Sequence, residues 1–529
     1  MTFGILLVAA VICLCILAEK FSGKFGMPAL LLFMGIGMVF GSDGLVKIPF
    51  DDYGLAERLC TIALCFIMFY GGFNTKWKAA KEVAVKSVLL STLGVVVTAL
   101  ITAVLCAFFL GFGWKESFLI GAVLSSTDAA SVFAILRRKK LNLKDGTASL
   151  LEMESGSNDP VSYMMTVLAI GMLGAVSMGN PVVMIAKQMI FGILFGVGMA
   201  ALVIFIMTKT TLVSEGLDTI FMIAMLLSCF GLSQLSGGNA FLSVYLMGII
   251  VGNSKIRNKH IMVPFFDGVT GLAQFFIFFL LGLLSFPHKF PDIILSALAI
   301  TVFLSFVARP VAIFLILKPF RCSFNQCMLV SFAGLRGAAS IVFAIMVIAS
   351  GADISYDLFH IVFMVALFSV AIQGTLLPWA AKKFRMIDDK ADVRKTFNDY
   401  QEESAITLMR MYIPKGHNWE NRLIKDVSMP IGSLALMIKR DDETIIPRGD
   451  TLIIAEDTLI LSVPSYEPGD QEHLHEDHIE KGHEWCNKAI ADLKLPDNVL
   501  IALVRRGEEN LIPDGKTVIM ENDIVVTYH

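Results

Sequence analysis

The chain has 529 residues, 56% of them hydrophobic, with a mean hydropathy of +0.71 and a formal charge of -3. Such apolarity excludes an ordinary soluble enzyme, and no basic stripe with interleaved aromatics offers a nucleic-acid surface. Residues 1–381 are almost continuously apolar whereas 386–529 are dense in Asp, Glu, Lys and Arg, which predicts a membrane domain followed by a soluble one.

An apolar run of about 20 residues crosses a bilayer. In chain order the runs fall at roughly 3–18, 28–42, 57–73, 87–110, 117–136, 148–175, 181–208, 217–235, 239–253, 268–286, 292–317, 325–349 and 356–380, about thirteen predicted spans. Met1 to Leu17 lacks a basic n-region and a small-residue cleavage site, so it reads as a span rather than a removed signal. Alternate loops carry the basic residues: Lys20 and Lys24, then Lys76, Lys78 and Lys81, then Arg137 to Lys140 with Lys144. Lys209, the Lys255–Lys259 cluster, Lys318 with Arg321, and Lys382 to Arg385 continue that side. Positive charge marks the cytoplasm, which places the N-terminus outside and the C-terminal domain inside a cell (inner) membrane. The nine cysteines sit mostly in apolar runs as small hydrophobes, with no zinc spacing and no disulfide pattern.

Ser125, Ser126, Thr127 and Asp128 interrupt the fifth predicted span. A carboxylate at membrane depth costs about 3 kcal/mol unless it handles an ion, a proton or a partner charge. Hydroxyls and freed carbonyls are hard ligands for an alkali cation, and small polar residues let a helix unwind without stranding its peptide groups. The alternative is an intact helix with Ser and Thr bonding back and Asp128 merely capping.

In the sixth span, Glu-Ser-Gly-Ser-Asn-Asp-Pro occupies 154–160. Ser155 and Asp159 share one face at i, i+4, while Glu154 and Asn158 form a second pair turned away from it. Asp159 is the expected exchanging group, and Glu154 needs a cationic partner. Pro160 removes the bond normally donated to the Gly156 carbonyl, leaving irregular backbone where ligand oxygens are useful. The alternative is that all these groups are glue between helices. Burial favours the protonated carboxyl and a bound cation the carboxylate, so the two compete for Asp159. With Asn158 rather than a second acid beside it, and provided Asp128 does not titrate, exchange is expected one for one, moving no net charge.

Two arginines also fall at depth, Arg309 in the eleventh span and Arg336 in the twelfth. Arginine stays charged, so Arg336 is expected to pair with Glu154 as a structural bridge; Arg309 has no obvious partner. Glycines flank Arg336 as small residues flank Asp128, seven spans earlier. That offset predicts inverted repeats with two interrupted helices crossing at the midplane.

Thr127-Asp128, the 154–160 stretch, Gly-Leu-Arg-Gly-Ala at 334–338, and Ser-Gly-Gly-Asn-Ala-Phe-Leu through Gly252-Asn253 come in the order and spacing of one family. The chain resembles the cation/proton antiporter-1 branch of the monovalent cation/proton antiporters over residues 1 to about 385. The resemblance implies an all-α polytopic membrane domain of the sodium/proton exchanger fold, a homodimer, and an elevator-like movement of a core bundle against a dimerisation bundle. It also implies Thr127, Ser155 and Asp159 as cation ligands, with Asp128 at the site. Tyr70 departs from the pattern, standing where many relatives carry an acid before Gly71-Gly72, so that acid's role in proton passage does not carry over.

After a transmembrane domain at 1–385, residues 386–407 read as a polar linker. The tail then repeats without gaps at an offset of 66: Trp419 matches Trp485, Asn421 Asn487, Asp426 Asp492, Pro430 Pro496, Arg440 Arg506, Glu443 Glu509 and Asp457 Asp523. Runs at Ser433–Ile438 and Thr451–Ile454, and at Val499–Val504 and Thr517–Met520, predict strands around a short helix in a small α+β unit. The first copy is set at 408–466, and 467–529 holds a linker with the second. Each copy resembles the C-terminal domain of the regulator-of-potassium-conductance family, which implies pairing and a small nucleotide-like ligand; a ligand-free dimerisation plug is the alternative. No GxGxxG fingerprint accompanies it, and no cofactor is expected. The histidines at 473, 475, 478 and 483 are expected in a solvated inter-repeat linker.

The reading is therefore not an enzyme but an antiporter of potassium, or sodium, for protons. A tail-gated channel would need a carbonyl filter such as Thr-Val-Gly-Tyr-Gly, which is absent from the sequence. A non-transporting sensor has little need for Asp128 and Asp159 at depth. An intramembrane hydrolase would need a histidine near Ser155.

Overall fold

The computed structural model describes residues 2–388 and 406–528, apart from 26–27, 140, 176–178, 211–213, 215, 428, 430–432, 441–442, 465–473, 480–482, 484, 494, 496–499, 507–508, 512, 514 and 522. The chain forms two compact units, Met1–Asp399 and Tyr400–His529.

The first unit is helical throughout. Its helices are α1 (Thr2–Phe25), α2 (Ala29–Phe40), α3 (Tyr53–Asn74), α4 (Ala84–Phe109), α5 (Trp114–Leu124), α6 (Ala129–Arg138), α7 (Thr147–Met172) and α8 (Pro181–Lys209). There follow α9 (Asp218–Leu235), α10 (Ala240–Gly252), α11 (Lys259–Leu283), α12 (Pro287–Phe320), α13 (Phe324–Phe332), α14 (Ala338–Ala349) and α15 (Leu358–Lys383). Seven helices among the described residues are long and apolar enough to cross a membrane: α3, α4, α8, α9, α12, α15 and the Ile261–Leu283 part of α11. Side-chain caps start several of them, with Asp52 accepting from Leu55 N (2.8 Å) and Ser323 from Gln326 N (3.1 Å). Within α4, α12 and α15 the helix widens to π turns at Leu90–Gly94, Leu304–Ala308 and Ser369–Gly374.

The helices pack in two groups. One comprises α1–α3 with α8–α11, the other α4–α7 with α12–α15, and they meet chiefly where α14 lies on α3 and α7 on α10. In the first group the backbones of α3 and α10 touch: a side chain on Gly248 or Gly252 would strike the Phe69 or Phe73 carbonyl. Such contacts lock the pair by close packing, the main attraction available between helices in lipid.

The fifth and twelfth predicted spans are each two helices. The first breaks between α5 and α6 at Ser125–Asp128, and the second between α13 and α14 at Ala333–Gly337. The predicted linker also begins later than 386. Met386 to Asp388 pair antiparallel with the α6–α7 loop: Lys144 N donates to Met386 O (2.9 Å), Asp388 N to Asn142 O (2.9 Å), and Leu143 faces Ile387. Of the rest of the predicted linker, 389–405 lies outside the described residues, and 406–407 already belong to the first strand of the tail, Ile406–Tyr412.

The second unit holds two four-stranded antiparallel sheets. One contains β1 (Ile406–Tyr412), β2 (Leu434–Arg440), β3 (Glu443–Ile445) and β4 (Thr458–Pro464) in the order β1-β4-β2-β3. The other contains β5 (Leu474–His478), β6 (Leu500–Arg506), β7 (Glu509–Leu511) and β8 (Ile524–Tyr528) in the order β5-β8-β6-β7. Both place a register shift at the same point, between Ala435 and Met437 and between Ile501 and Leu503. Asn421 and Asn487 both adopt positive φ (58° and 63°), a conformation Asn tolerates, which explains why this residue repeats. Trp419 and Trp485 pack against the two small cores. Pro430 and Pro496 lie outside the described residues.

Three expectations change here. Thr451–Ile454 and Thr517–Met520 form no ladder strand; Leu452 and Val518 make single bridges to Leu423 and Ala489, and the strands come later as β4 and β8. The short helices are single 3₁₀ turns at Ile424–Asp426 and Ile490–Asp492. The histidine-rich segment is not a linker: His475 and His478 stand in β5, and His483 stacks edge-on to Trp485 as His417 does to Trp419. His473 lies outside the described residues.

Candidate functional site

The two helix breaks meet each other. Asp128 N donates to Leu335 O (2.8 Å), and Arg336 reaches across to donate from Nη1 to Ser126 O (2.7 Å). Arg336 is held in turn by its own N–H, which donates to Ser369 Oγ (3.0 Å) at the π turn of α15. Freed peptide groups are thus satisfied by the opposite break, which is what permits irregular backbone in the protein interior. Gly337 is required here because a Cβ would run into the Asp128 side chain, and Gly334 because a Cβ would sit 2.7 Å from Arg309 Nε.

Helix α7 presents the sixth-span motif to the first break. Ser155 Oγ donates to Thr127 O (2.7 Å), Asn158 Nδ2 donates to Thr127 Oγ1, and the Ser126 hydroxyl donates to the Asp159 carboxylate. Thr127, Ser155, Asn158 and Asp159 are therefore gathered at one spot, all buried; Asp159 keeps 8% exposure. Asn158 Oδ1 is buried without a hydrogen-bond partner among the described residues, leaving a carbonyl oxygen available to a bound ion. Asp128 lies at the break, but its carboxylate turns to α6, accepting from Ser131 N (3.2 Å) and Ser131 Oγ. It caps that half-helix. Helix unwinding and capping by Asp128, posed as alternatives, occur together.

The buried ion pair differs from expectation. Glu154 is clasped by Arg309, Nη1 to Oε1 at 2.6 Å and Nη2 to Oε2 at 2.8 Å, with both side chains almost fully buried. Arg336 instead donates to a carbonyl, and its Nε and Nη2 are buried without hydrogen-bond partners among the described residues. Glu154 and Asp159 diverge on α7, as the helical spacing requires, so Arg309 neutralises only the first.

Two contacts at this spot were not assigned from the sequence. Ser126, adjacent to the predicted ligands, is the hydroxyl that reaches Asp159, and its place in the Ser-Ser-Thr-Asp run was the available signal. Asn239 of the Ser-Gly-Gly-Asn stretch caps α10 by accepting from Leu242 N (3.0 Å) and donates to Pro160 O (2.7 Å). That bond ties the Asp159 helix to the other packing group.

Comparison with known proteins gives these features a family. Residues 7–383 match the family described as sodium/hydrogen exchanger, transmembrane, and residues 474–526 match the TrkA-C domain. The chain is similar to the K(+)/H(+) antiporter NhaP of Alkalimonas amylolytica, 32% identical over 86% of this chain and 80% of that one. It is similar to NhaP2 of Shewanella sp. (strain ANA-3), named a K(+)/H(+) antiporter, at 32% identity over 84% and 78%. The Na(+)/H(+) antiporter ApNhaP of Aphanothece halophytica is 26% identical over 70% and 71%. In fold it matches the sodium proton antiporter MjNhaP1 of Methanocaldococcus jannaschii, with a TM-score of 0.63 at 24% identity over 71% of this chain and 99% of that one. With its helical region matched almost end to end, the chain belongs to the sodium/hydrogen exchanger family, in the cation/proton antiporter-1 branch.

Proposed function

We propose that this protein is a monovalent cation/proton antiporter in which Asp159 is the group that proton and cation share. One observation carries the reading. Among the described contacts Asp159 receives a neutral hydroxyl only, while the two buried guanidiniums serve Glu154 and the Ser126 carbonyl. A carboxylate so placed is neutralised by a proton or by a bound cation, and each displaces the other. The Thr127 and Ser155 hydroxyls and the Asn158 carbonyl lie at hand as oxygen ligands, with Asp128 nearby but engaged in capping. Asn158 beside a single free carboxylate supports one-for-one exchange without net charge movement.

Potassium is the favoured cation, with sodium the second reading. The relatives at 32% identity are named K(+)/H(+) antiporters, whereas the one at 26% is named a Na(+)/H(+) antiporter. The thirteen-span topology, with a cytoplasmic tail and inverted repeats, belongs to the same proposal. Support comes from π turns in the fourth and eleventh predicted spans and breaks in the fifth and twelfth, both seven apart. A homodimer with one helix group moving against the other completes the transport cycle. Regulation by a nucleotide-like ligand on the tail is supported by the TrkA-C match and by the Met386–Asp388 pairing, which fastens the chain leading to the tail onto the α6–α7 loop.

Everted vesicles test this. Added potassium should dissipate a preformed proton gradient, unaffected by clamping the membrane potential, and Asp159→Asn should lower that rate at least tenfold. Exchange at the ordinary rate in the asparagine variant would remove Asp159 as the carrier.

A further inference from the structure

The described contacts leave one buried phenol beside the site without a role. Tyr245 on α10 is 2% exposed, and its hydroxyl is buried with no hydrogen-bond partner among the described residues. Thr75 lies within side-chain hydrogen-bonding reach, but it donates its own proton to Gly71 O (2.8 Å), so towards the phenol it serves as an acceptor and leaves the phenol oxygen's lone pairs without a donor. The ring occupies a slot between glycines of two helices. A Cβ on Gly72 of α3 would stand 3.2 Å from Tyr245 Cδ2, and a Cβ on Gly156 of α7 would stand 2.6 to 2.7 Å from Cε2, Cζ and the hydroxyl.

Gly156 marks where the hydroxyl lies along α7. Glu152, Gly156 and Asp159 follow at spacings of four and three residues, which places them on one helix face. The hydroxyl rests on the glycine between the two acids, and both lie within electrostatic reach of the phenol. Glu152 is the more exposed acid, toward the α7 terminus that adjoins the lysine-bearing loop before Thr147. Glutamine or alanine at 156 would evict the ring. Glycine admits it. Tyr245 also belongs to the helix group opposite α7, so it touches the Asp159 helix across the boundary where the two groups meet.

We propose that the Tyr245 hydroxyl is a cation-positioning ligand on the approach to Asp159, receiving a dehydrating alkali ion from the side of Glu152. This rests on the antiport reading above and adds to it a route and a selectivity element. A phenol oxygen accepts while its proton donates elsewhere, so it can serve a cation without losing that proton. A buried oxygen that accepts from no described protein donor gains a partner when a cation binds, which favours binding there.

The test compares wild type, Tyr245→Phe, Glu152→Gln and Asp159→Asn in everted vesicles, titrated with potassium chloride and separately with sodium chloride. Phenylalanine keeps the ring in its slot. Tyr245→Phe should raise the half-maximal potassium concentration about fivefold, the effect of losing one ligand worth about 1 kcal/mol, with maximal rate within twofold and melting temperature unchanged. Glu152→Gln should raise it about threefold at low ionic strength and little at high salt. An unchanged half-maximal concentration in Tyr245→Phe overturns the proposal. So does a lowered maximal rate with a lowered melting temperature and unchanged affinity, which marks a packing role. If wild type itself shows no cation-dependent proton movement, or Asp159→Asn matches it, the antiport reading fails instead.

Discussion

At the scale of single residues, the buried charges divide into a structural pair, Arg309 with Glu154, and a carboxylate, Asp159, met by a hydroxyl. Arg309 clasps Glu154 in two short bonds, and each charge is deep enough that neither survives alone. Arg309→Ala leaves Glu154 uncompensated and is expected to cost roughly 3–5 kcal/mol, seen as a lower melting temperature in detergent and reduced membrane yield. Adding Glu154→Gln should recover much of that loss, because the stranded charge is then gone. If the single variant melts with wild type, the pair contributes nothing to the fold. The residues around Asp159 were legible because helical spacing fixes which side chains of α7 share a face. The arginine partner was not. Arg309 follows the π turn at Leu304–Ala308, which shifts the helix phase, so spacing alone does not say which arginine faces Glu154. Gly334, flat against Arg309 Nε, was the sequence signal for that contact.

Among elements, the interrupted helices were readable from their small polar runs, whereas the tail strands were read only in part. Thr451–Ile454 is as β-branched as a strand, yet it makes one bridge and then turns at Glu456, whose φ is 72°. Propensity measures fit to a pleated surface and carries no information about which run finds a partner. What the repeat does fix is a clamp. Arg440 donates to Asp457 from Nε and Nη2 at 2.8 Å each, and Arg506 does the same to Asp523 at 2.9 and 2.8 Å. Burial alone would raise both carboxyls, but the arginine bonds and a backbone N–H outweigh it and hold both below the usual carboxylate range. The unfolded chain therefore binds more protons than the folded one in acid. The stabilisation is complete at neutral pH and disappears as pH falls below about 4 through the depressed folded values. Urea unfolding followed by Trp419 and Trp485, with Trp77, Trp114 and Trp379 replaced by Phe, should show a flat midpoint from pH 7 to about 4.5 and a decline below it. Arg440→Met with Arg506→Met should lower neutral stability by roughly 2 kcal/mol per module and flatten the acid decline. A decline of the same steepness without the arginines would place the acid sensitivity elsewhere.

For the whole molecule, the regulation proposed above needs a route from the tail to the region of Asp159. Met386 to Asp388 offer a direct mechanical answer. They are hydrogen-bonded to Asn142 and Lys144, in the loop joining the broken helix to the helix of Asp159, and Met386 shares a buried cluster with Leu143. The composition of 386–407 reads as linker, and nothing in it announces this pairing, because two backbone bonds and one apolar contact leave little trace in sequence. A force on the chain beyond 388 therefore reaches the α6–α7 loop as well as α15, from which the segment continues. Asp388→Pro removes the N–H that bonds Asn142 O and leaves the Lys144 bond to Met386 in place. Its half-maximal potassium concentration in vesicles should move in the same direction as that of a chain ended at residue 405, whichever direction that is, by at least half as much. A truncated chain that shifts while the proline variant matches wild type would route the coupling through another contact. Identical curves for all three chains would deny the tail a regulatory role. Coupling by this strap needs no change at the ion ligands themselves, so the proline variant should keep its order of preference among potassium, sodium, rubidium and lithium even as its half-maximal concentration moves.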